Sequence, residues 1–291
     1  MKIKAEESKR LDIFLARKLE ISRSQVLKMI KEDEVKVNGK KTKPGMILKE
    51  NDEIEINHEE IDTDIKPEKM PLNIVYEDDD VIVLDKENGV VVHPAPGNYT
   101  HTLVNGLLYH SNLSNINGEF RPGIVHRIDS YTTGLLMIAK NNKAHENLAK
   151  QLSEKTTHRK YIALVWGVIL NDTGEIDAPI GRSPKDRKKM AVVSGGKPAK
   201  THFKVLERYK EATLIELKLE TGRTHQIRVH MDYIGHPVIN DPVYGNHELI
   251  DNTGQALHAK ELGFNHPKTG KYMEFSSPLP ECFLNILEKF K

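Results

Sequence analysis

Apolar residues recur along the first sixty positions with two different periods. Leu11, Phe14, Leu15 and Leu19 fall three and four apart, the spacing of one helix face. Ser22-Arg23-Ser24-Gln25 has the Ser-x-x-Gln form of a capping box, in which two polar side chains take up free N–H groups of a first turn. It predicts a second helix through Val26, Leu27 and Ile30. Val35-Lys36-Val37 then alternates with period two and runs into Asn38-Gly39, residues that accept the left-handed backbone of a tight hairpin. Ile54 and Ile56 alternate with Glu53 and Glu55 to give another strand. The pattern predicts a small module over residues 1–62, made of two helices and a hairpin. His58 to Met70 is polar, acidic and interrupted by Pro67, so residues 63–70 read as a linker.

From Pro71 to the end, residues 71–291, strand and helix periods mix. Val81–Leu84 and Gly134–Ala139 are apolar runs of buried-strand length. Ile215, Leu217 and Leu219 alternate with Glu216, Lys218 and Glu220, the pattern of a half-buried strand. Asn142 to Leu152 carries Ala144, Leu148 and Leu152 on one helical face. Thr224 to Ile234 places Ile227, Met231 and Ile234 inward before Gly235, and Pro280 to Phe290 is a terminal amphipathic helix. Strands outnumber helices and follow no regular alternation with them. This predicts an α+β fold with a mixed or antiparallel sheet.

Charge changes the picture for the first module. The 291-residue chain has a net charge of only +1, yet residues 9–49 hold 12 Lys/Arg against 5 Asp/Glu. Arg10, Arg17, Arg23, Lys28, Lys36, Lys40 and Lys41 surround the expected helices and hairpin, a local electrostatic footprint that suits RNA phosphates. A solvated charged face would look the same. No uncharged apolar run approaches the roughly 20 residues of a membrane span, and a single cysteine, Cys282, cannot close an internal disulfide. A cytoplasmic protein is expected, without membrane attachment.

Three segments concentrate reactive side chains. Gly123-Ile-Val-His-Arg-Ile-Asp129 ends in an Asp between an apolar run and a Ser/Thr/Gly turn, where a strand end can present it in a cleft. Alone, such an Asp more often caps its own turn. Thr221-Gly-Arg-Thr-His-Gln-Ile-Arg228 puts Arg223 before a helix start, an electrostatically poor place for a cation, which favours a functional reason for it. Arg159-Lys-Tyr161-Ile-Ala-Leu-Val-Trp-Gly167 carries a Tyr near the start of a strand, more often packing than chemistry.

Taken together, HRID with its following Thr and Gly, TGRTHQIRVH, GHPVINDPVYG, KYIALVWG and IDAPIGRSPKDRKKMAVVSGGKPAKTHFKVLER resemble the signature blocks of RluA/RluD-type pseudouridine synthases. The likeness runs from about Pro71 to the C-terminus. The first module resembles the αL-motif RNA-binding domain of a ribosomal small-subunit protein. The resemblance implies Asp129 as the catalytic Asp, with Arg223 as its ion-pair partner. It implies that Tyr161 packs on the flipped base and acts as general base, that Ile227 walls the base, and that Arg127 fills the space the uridine leaves. The expected activity is isomerisation of uridine to pseudouridine in structured RNA, with large-subunit ribosomal RNA, within a ribosome precursor, as the substrate and transfer RNA as the alternative.

The residue types fit that chemistry. The reaction breaks the bond from the sugar's anomeric carbon to the ring nitrogen, turns the uracil and rejoins it through C5. Nothing is oxidised or imported, so no cofactor is expected. A carboxylate can attack or stabilise the electron-poor carbon, as in glycosidases, and an arginine keeps that carboxylate ionised. A base reached by flipping leaves a hole that a planar guanidinium can fill. His225, His230 and His236 are five and six apart and share no helix face, so no metal is expected. No Gly-x-Gly-x-x-Gly or phosphate-loop pattern is present, which disfavours a methyltransferase. A silent RNA-binding protein is the other alternative. After Asp129 the chain reads Ser130-Tyr131-Thr132-Thr133-Gly134 where many relatives have Lys-Asp before Thr-Ser-Gly; Tyr131 either stacks on a nucleotide at the cleft rim or packs on its own turn. The protein is expected to act as a monomer.

Overall fold

The computed structural model describes residues 1–19, 23–57, 65–95, 98–118 and 121–291, with residues 24, 25 and 28 described by backbone alone. Met1–Thr63 and Asp64–Lys291 are two compact units.

In the first unit, α1 (Leu11–Lys18) and α2 (Arg23–Lys31) lie with β1 (Lys2–Lys4), β2 (Val35–Val37), β3 (Lys40–Lys41) and β4 (Glu53–Ile56). The strands form an antiparallel sheet in the order β1-β4-β2-β3. Asn38 (φ 50°) and Gly39 (φ 73°) are both left-handed, which matches the hairpin to the twist of its strands. Leu11, Phe14, Leu15, Val26, Ile30, Val35, Val37, Ile54 and Ile56 form the core. Leu27 differs from expectation: it is exposed, and Met29 takes its place inside. The Ser22 end of the expected capping box lies outside the described residues.

The second unit contains a nine-stranded sheet and four helices among its described residues. Its strands are β5 (Ile74–Glu77), β6 (Val81–Lys86), β7 (Thr133–Ala139), β8 (His158–Trp166), β9 (Thr173–Asp177), β12 (Lys200–Arg208), β13 (Ala212–Leu219), β14 (Leu257–Asn265) and β15 (Tyr272–Ser276). Between β9 and β12 a separate hairpin pairs β10 (Ile180–Arg182) with β11 (Met190–Val192). The sheet order is β5-β6-β7-β14-β8-β13-β12-β9, with β15 on β14. Every pairing is antiparallel except β14 against β7, so the sheet is mixed at one seam. At that seam the backbones nearly touch. A Cβ on Gly134 (φ +104°) would lie 2.3 Å from the Ala259 carbonyl oxygen, so only glycine fits.

Helices cover both faces, which explains why β6 and β7 read as unbroken apolar runs. Leu136 and Ile138 join Tyr161, Ala163 and Val165 against α3 (Leu103–His110) and α5 (Gln226–Tyr233). The alternate residues Leu135 and Met137 pack on α4 (Asn142–Ser153), and Ile162 and Leu164 pack on α6 (Glu281–Glu288). Residues 65–70, read from the sequence as linker, lie against this unit. Glu68 N–H donates to the Asn105 carbonyl at 2.9 Å, Asn105 Nδ2 donates to the Lys66 carbonyl at 2.8 Å, and Met70 rests on Gly106. Residues 58–64 are outside the described set.

Candidate active site

Asp129 stands in the turn that leads into β7. The turn is closed by Thr132 N–H donating to the Asp129 carbonyl (3.1 Å). Behind it, Lys86 is buried with its ammonium donating to the carbonyls of Glu87, Val90 and Ser130 at 2.7–3.0 Å. Burial pulls the Lys86 ammonium down to about 7 while the Asp129 charge opposes it. Three carbonyl acceptors match the three N–H groups of the charged form. The loop carrying Asp129 is therefore tied down from within, and its side chain is only 18% exposed.

The carboxylate has a cationic partner, and it is not the one expected. Arg228 Nη1 donates to Asp129 Oδ2 at 2.8 Å, and the same guanidinium forks onto Asp241 through Nε (2.6 Å) and Nη2 (2.7 Å). Asp241 is fully buried and also accepts the N–H groups of Val243 and Tyr244. Burial alone would lower the Arg228 guanidinium, but bonds and charge from Asp241, with Asp129 adding, hold it above its ordinary value. Arg223, expected to pair with Asp129, instead donates through Nε to the Pro198 carbonyl at 2.9 Å. The helix start explains this correction. α5 begins at Gln226, so Arg223 lies in the preceding loop, whereas Arg228 sits in the first turn and reaches back to Asp129.

Asp129, Arg228, Tyr161, Ile227, Arg127 and Arg223 line one cleft of about 410 Å³. That is within the roughly 300–1,000 Å³ typical of small-ligand sites. Tyr161 is in mid-strand rather than at the start of β8, on the same face as Ala163 and Val165, and Ile227 comes from α5. Burial pushes the Tyr161 phenol up, with Arg159 opposing and Asp129 adding, so it is a protonated donor at neutral pH. Arg127 Nη1 lies 3.4 Å from His93 Nε2. His225 Nε2 lies 3.8 Å from Asp129 Oδ1, and His225 Nδ1 is 2.8 Å from the Tyr244 hydroxyl. That hydroxyl also accepts Met190 N–H (3.0 Å). Burial keeps the His225 imidazole below its ordinary pKa, with the Asp129 charge opposing.

Tyr131 is elsewhere. Its ring covers Gly254, where a Cβ would stand 2.3 Å from Tyr131 Cγ, in a depression shared with Asn88, Thr253 and Phe283 rather than in the cleft. The bare glycine provides a seat for the ring. In the first unit, buried Asp12 takes two bonds each from Arg10 and Arg23, and Lys41 pairs with Asp33. Bonding from Arg10, against the opposing effect of burial and with Arg23 adding, holds the Asp12 carboxyl down to about 2. Arg17, Lys36 and Lys40 make no ion pair among the described residues, and the Lys28 side chain is outside them. Asp78, Asp80 and His266 are the one group among the described residues close enough to share a metal ion. His266 Nδ1 accepts the Lys268 and Thr269 N–H groups, so Nε2 carries the proton donated to Asp78 and offers no lone pair.

Arg228, Asp241, His225 and Tyr244 were not singled out by sequence reasoning. The usable signal was there: a cation in a helix's first turn is electrostatically misplaced unless a carboxylate meets it. Arg228, not Arg223, is the cation in that first turn.

Residues 80–233 match the family model described as RNA pseudouridylate synthase, and residues 9–54 match the S4 domain model. A Bacillus subtilis protein described as an uncharacterized RNA pseudouridine synthase is 53% identical over 98% of this chain and 95% of its own length. The ribosomal large subunit pseudouridine synthase D of Neisseria meningitidis serogroup A is 48% identical over 96% of this chain and 78% of its own. Among solved structures, human RNA pseudouridylate synthase domain containing 1 superposes with a TM-score of 0.58 at 26% identity, covering 80% of this chain and 97% of its own. With an Asp–Arg pair at the floor of a cleft walled by Tyr161 and Ile227, the chain belongs to the RNA pseudouridylate synthase family of uridine isomerases and carries an S4 domain at its N-terminal end.

Proposed function

We propose that this enzyme converts uridine to pseudouridine in large-subunit ribosomal RNA, with Asp129 as the reacting carboxylate. The observation that carries the assignment is the Asp129–Arg228 pair in the cleft, since Arg228 favours the ionised carboxylate that the chemistry needs. The substrate class rests on relatives such as the Neisseria enzyme, whose name specifies the ribosomal large subunit. Asp129 attacks or stabilises the anomeric carbon as its bond to N1 breaks. The uracil turns between Tyr161 and Ile227, C5 bonds to the anomeric carbon and displaces Asp129 from it if the carboxylate has attacked, and the C5 proton leaves as N1 takes one up. Because burial keeps the Tyr161 phenol protonated, it serves as a base only by passing on its own proton as it takes another. Arg127 fills the gap left by the flipped nucleotide.

Residues 1–62 act as the RNA-docking module, with Arg17, Lys36 and Lys40 free to meet phosphates. In this reading the enzyme acts as a monomer. No helix among the described residues is long and apolar enough to cross a membrane. We place the enzyme in the cytoplasm with the ribosome precursor. The test is tritium release from C5-labelled large-subunit ribosomal RNA, with mapping of pseudouridines in cells with and without the gene. Release confined to transfer RNA would overturn the substrate assignment.

A further inference from the structure

The cleft contains a buried cation that the chemistry above does not use. Arg159, on β8 two residues before Tyr161, is 7% exposed and lines the cleft. Its Nε is buried without a hydrogen-bond partner, and among the described residues no ion pair meets its guanidinium. Buried guanidinium groups are ordinarily paired, because an unpaired charge forfeits its hydration for nothing in return. The surroundings add positive character. Arg127 and Arg223 line the same cleft without carboxylate partners, and the one carboxylate there, Asp129, is matched by Arg228. His126, also in the lining, accepts Met137 N–H at Nε2, and burial, with Arg159 adding, holds it down to about 3. It is therefore a neutral ring with its proton on Nδ1, a further donor. Leu152 and Ser153 bring the C-terminal turn of α4 to the cleft, but a helix end attracts a cation weakly and accepts no bond from Arg159 here.

We propose that Arg159 is a phosphate-binding residue of the cleft, and that its ligand is an RNA phosphodiester next to the flipped uridine. Side chains at i and i+2 of a strand share a face, so Arg159 follows Tyr161 along the path of a nucleotide bound at Asp129. A phosphodiester supplies the negative charge and the paired oxygens that a guanidinium fork matches, whereas a uracil carbonyl is neutral and leaves the charge uncompensated. The missing side chain at Gly222 serves the same end. A Cβ there would come within 3.2 Å of Arg159 Nη1, crowding the approach to the guanidinium.

The inference rests on the proposed RNA substrate, and the test separates the two. Wild-type protein, Arg159→Met and Arg159→Lys are compared by filter binding to transcribed large-subunit ribosomal RNA across a potassium chloride series, and by thermal unfolding without RNA. Arg159→Met is expected to unfold at or above the wild-type temperature, since it removes an unpaired buried charge. It is also expected to bind RNA several-fold more weakly, with the slope of log affinity against log salt shallower by about 0.7–0.9. Arg159→Lys keeps the wild-type slope. An unchanged slope in Arg159→Met, with or without weaker binding, overturns the phosphate assignment, and so does a fall of several degrees in its unfolding temperature. Absent tritium release by the wild type on this RNA counts against the substrate reading, while the slopes still decide the role of Arg159.

Discussion

Replacing Arg228 by Met removes the cation that bridges two carboxylates. Asp241, fully buried, loses two bonds of 2.6 and 2.7 Å, and Asp129 loses one of 2.8 Å. Two carboxylates are then left facing each other across an apolar side chain. Breaking a buried pair by removing one member costs about 3–5 kcal/mol, because the survivor stays desolvated. For a domain of this size each kcal/mol lowers the midpoint by roughly 2–4 °C, so calorimetry should show the second unit unfolding roughly 6–20 °C earlier. Tritium release should be lost as well. The double variant Arg228→Met with Asp241→Asn removes the stranded buried charge and should regain much of the stability while staying inactive. Arg228 would then be catalytic in its effect on Asp129 and structural in its effect on Asp241, two separable roles. An unchanged unfolding temperature in Arg228→Met would refute the triad, and recovery of activity along with stability in the double variant would refute its catalytic half.

Three further outcomes are expected. Tyr161→Phe should bind RNA as the wild type does yet lose product formation in single turnover; near-normal rates would reduce Tyr161 to packing. Deleting residues 1–62 should weaken binding to folded RNA and flatten its salt dependence, and identical salt slopes would make the basic face a solvated surface only. Burial, with Arg127 and Arg121 adding, pushes the His93 imidazole down to about 4. An unfolded histidine titrates near ~6.5, so the unfolded chain binds a proton that the folded one refuses between these values. Stability from this site is complete above pH ~6.5 and falls as the pH drops towards 4. In denaturant titrations His93→Gln should flatten that limb, and an unaltered limb would assign acid sensitivity elsewhere.

Much of the fold was legible because local pattern and tertiary burial agree. The alternation at Val35–Val37 and Ile54–Ile56, and the apolar runs of β6 and β7, appear where burial demands them. Strands such as β9 and β15 are not legible because they are short and half-exposed, with few buried positions to mark an alternation. The loop carrying Asp129 was legible as motif, and Asp129, Tyr161 and Ile227 line one cleft. What spacing could not reveal was which arginine reaches Asp129. Arg223 and Arg228 are five residues apart, and the choice depends on α5 beginning at Gln226. Tyr131 shows the same limit, since its seat is Gly254, more than a hundred residues away.

We propose Asp129 as the reacting carboxylate. The most direct measurement is single-turnover tritium release by purified Asp129→Asn on C5-labelled large-subunit ribosomal RNA, with affinity determined on the same RNA. Asn preserves shape and polarity and removes the ionised oxygen facing Arg228. No release is expected, with RNA affinity within about tenfold of wild type because phosphate contacts dominate binding. Measurable turnover by the Asn variant would contradict it.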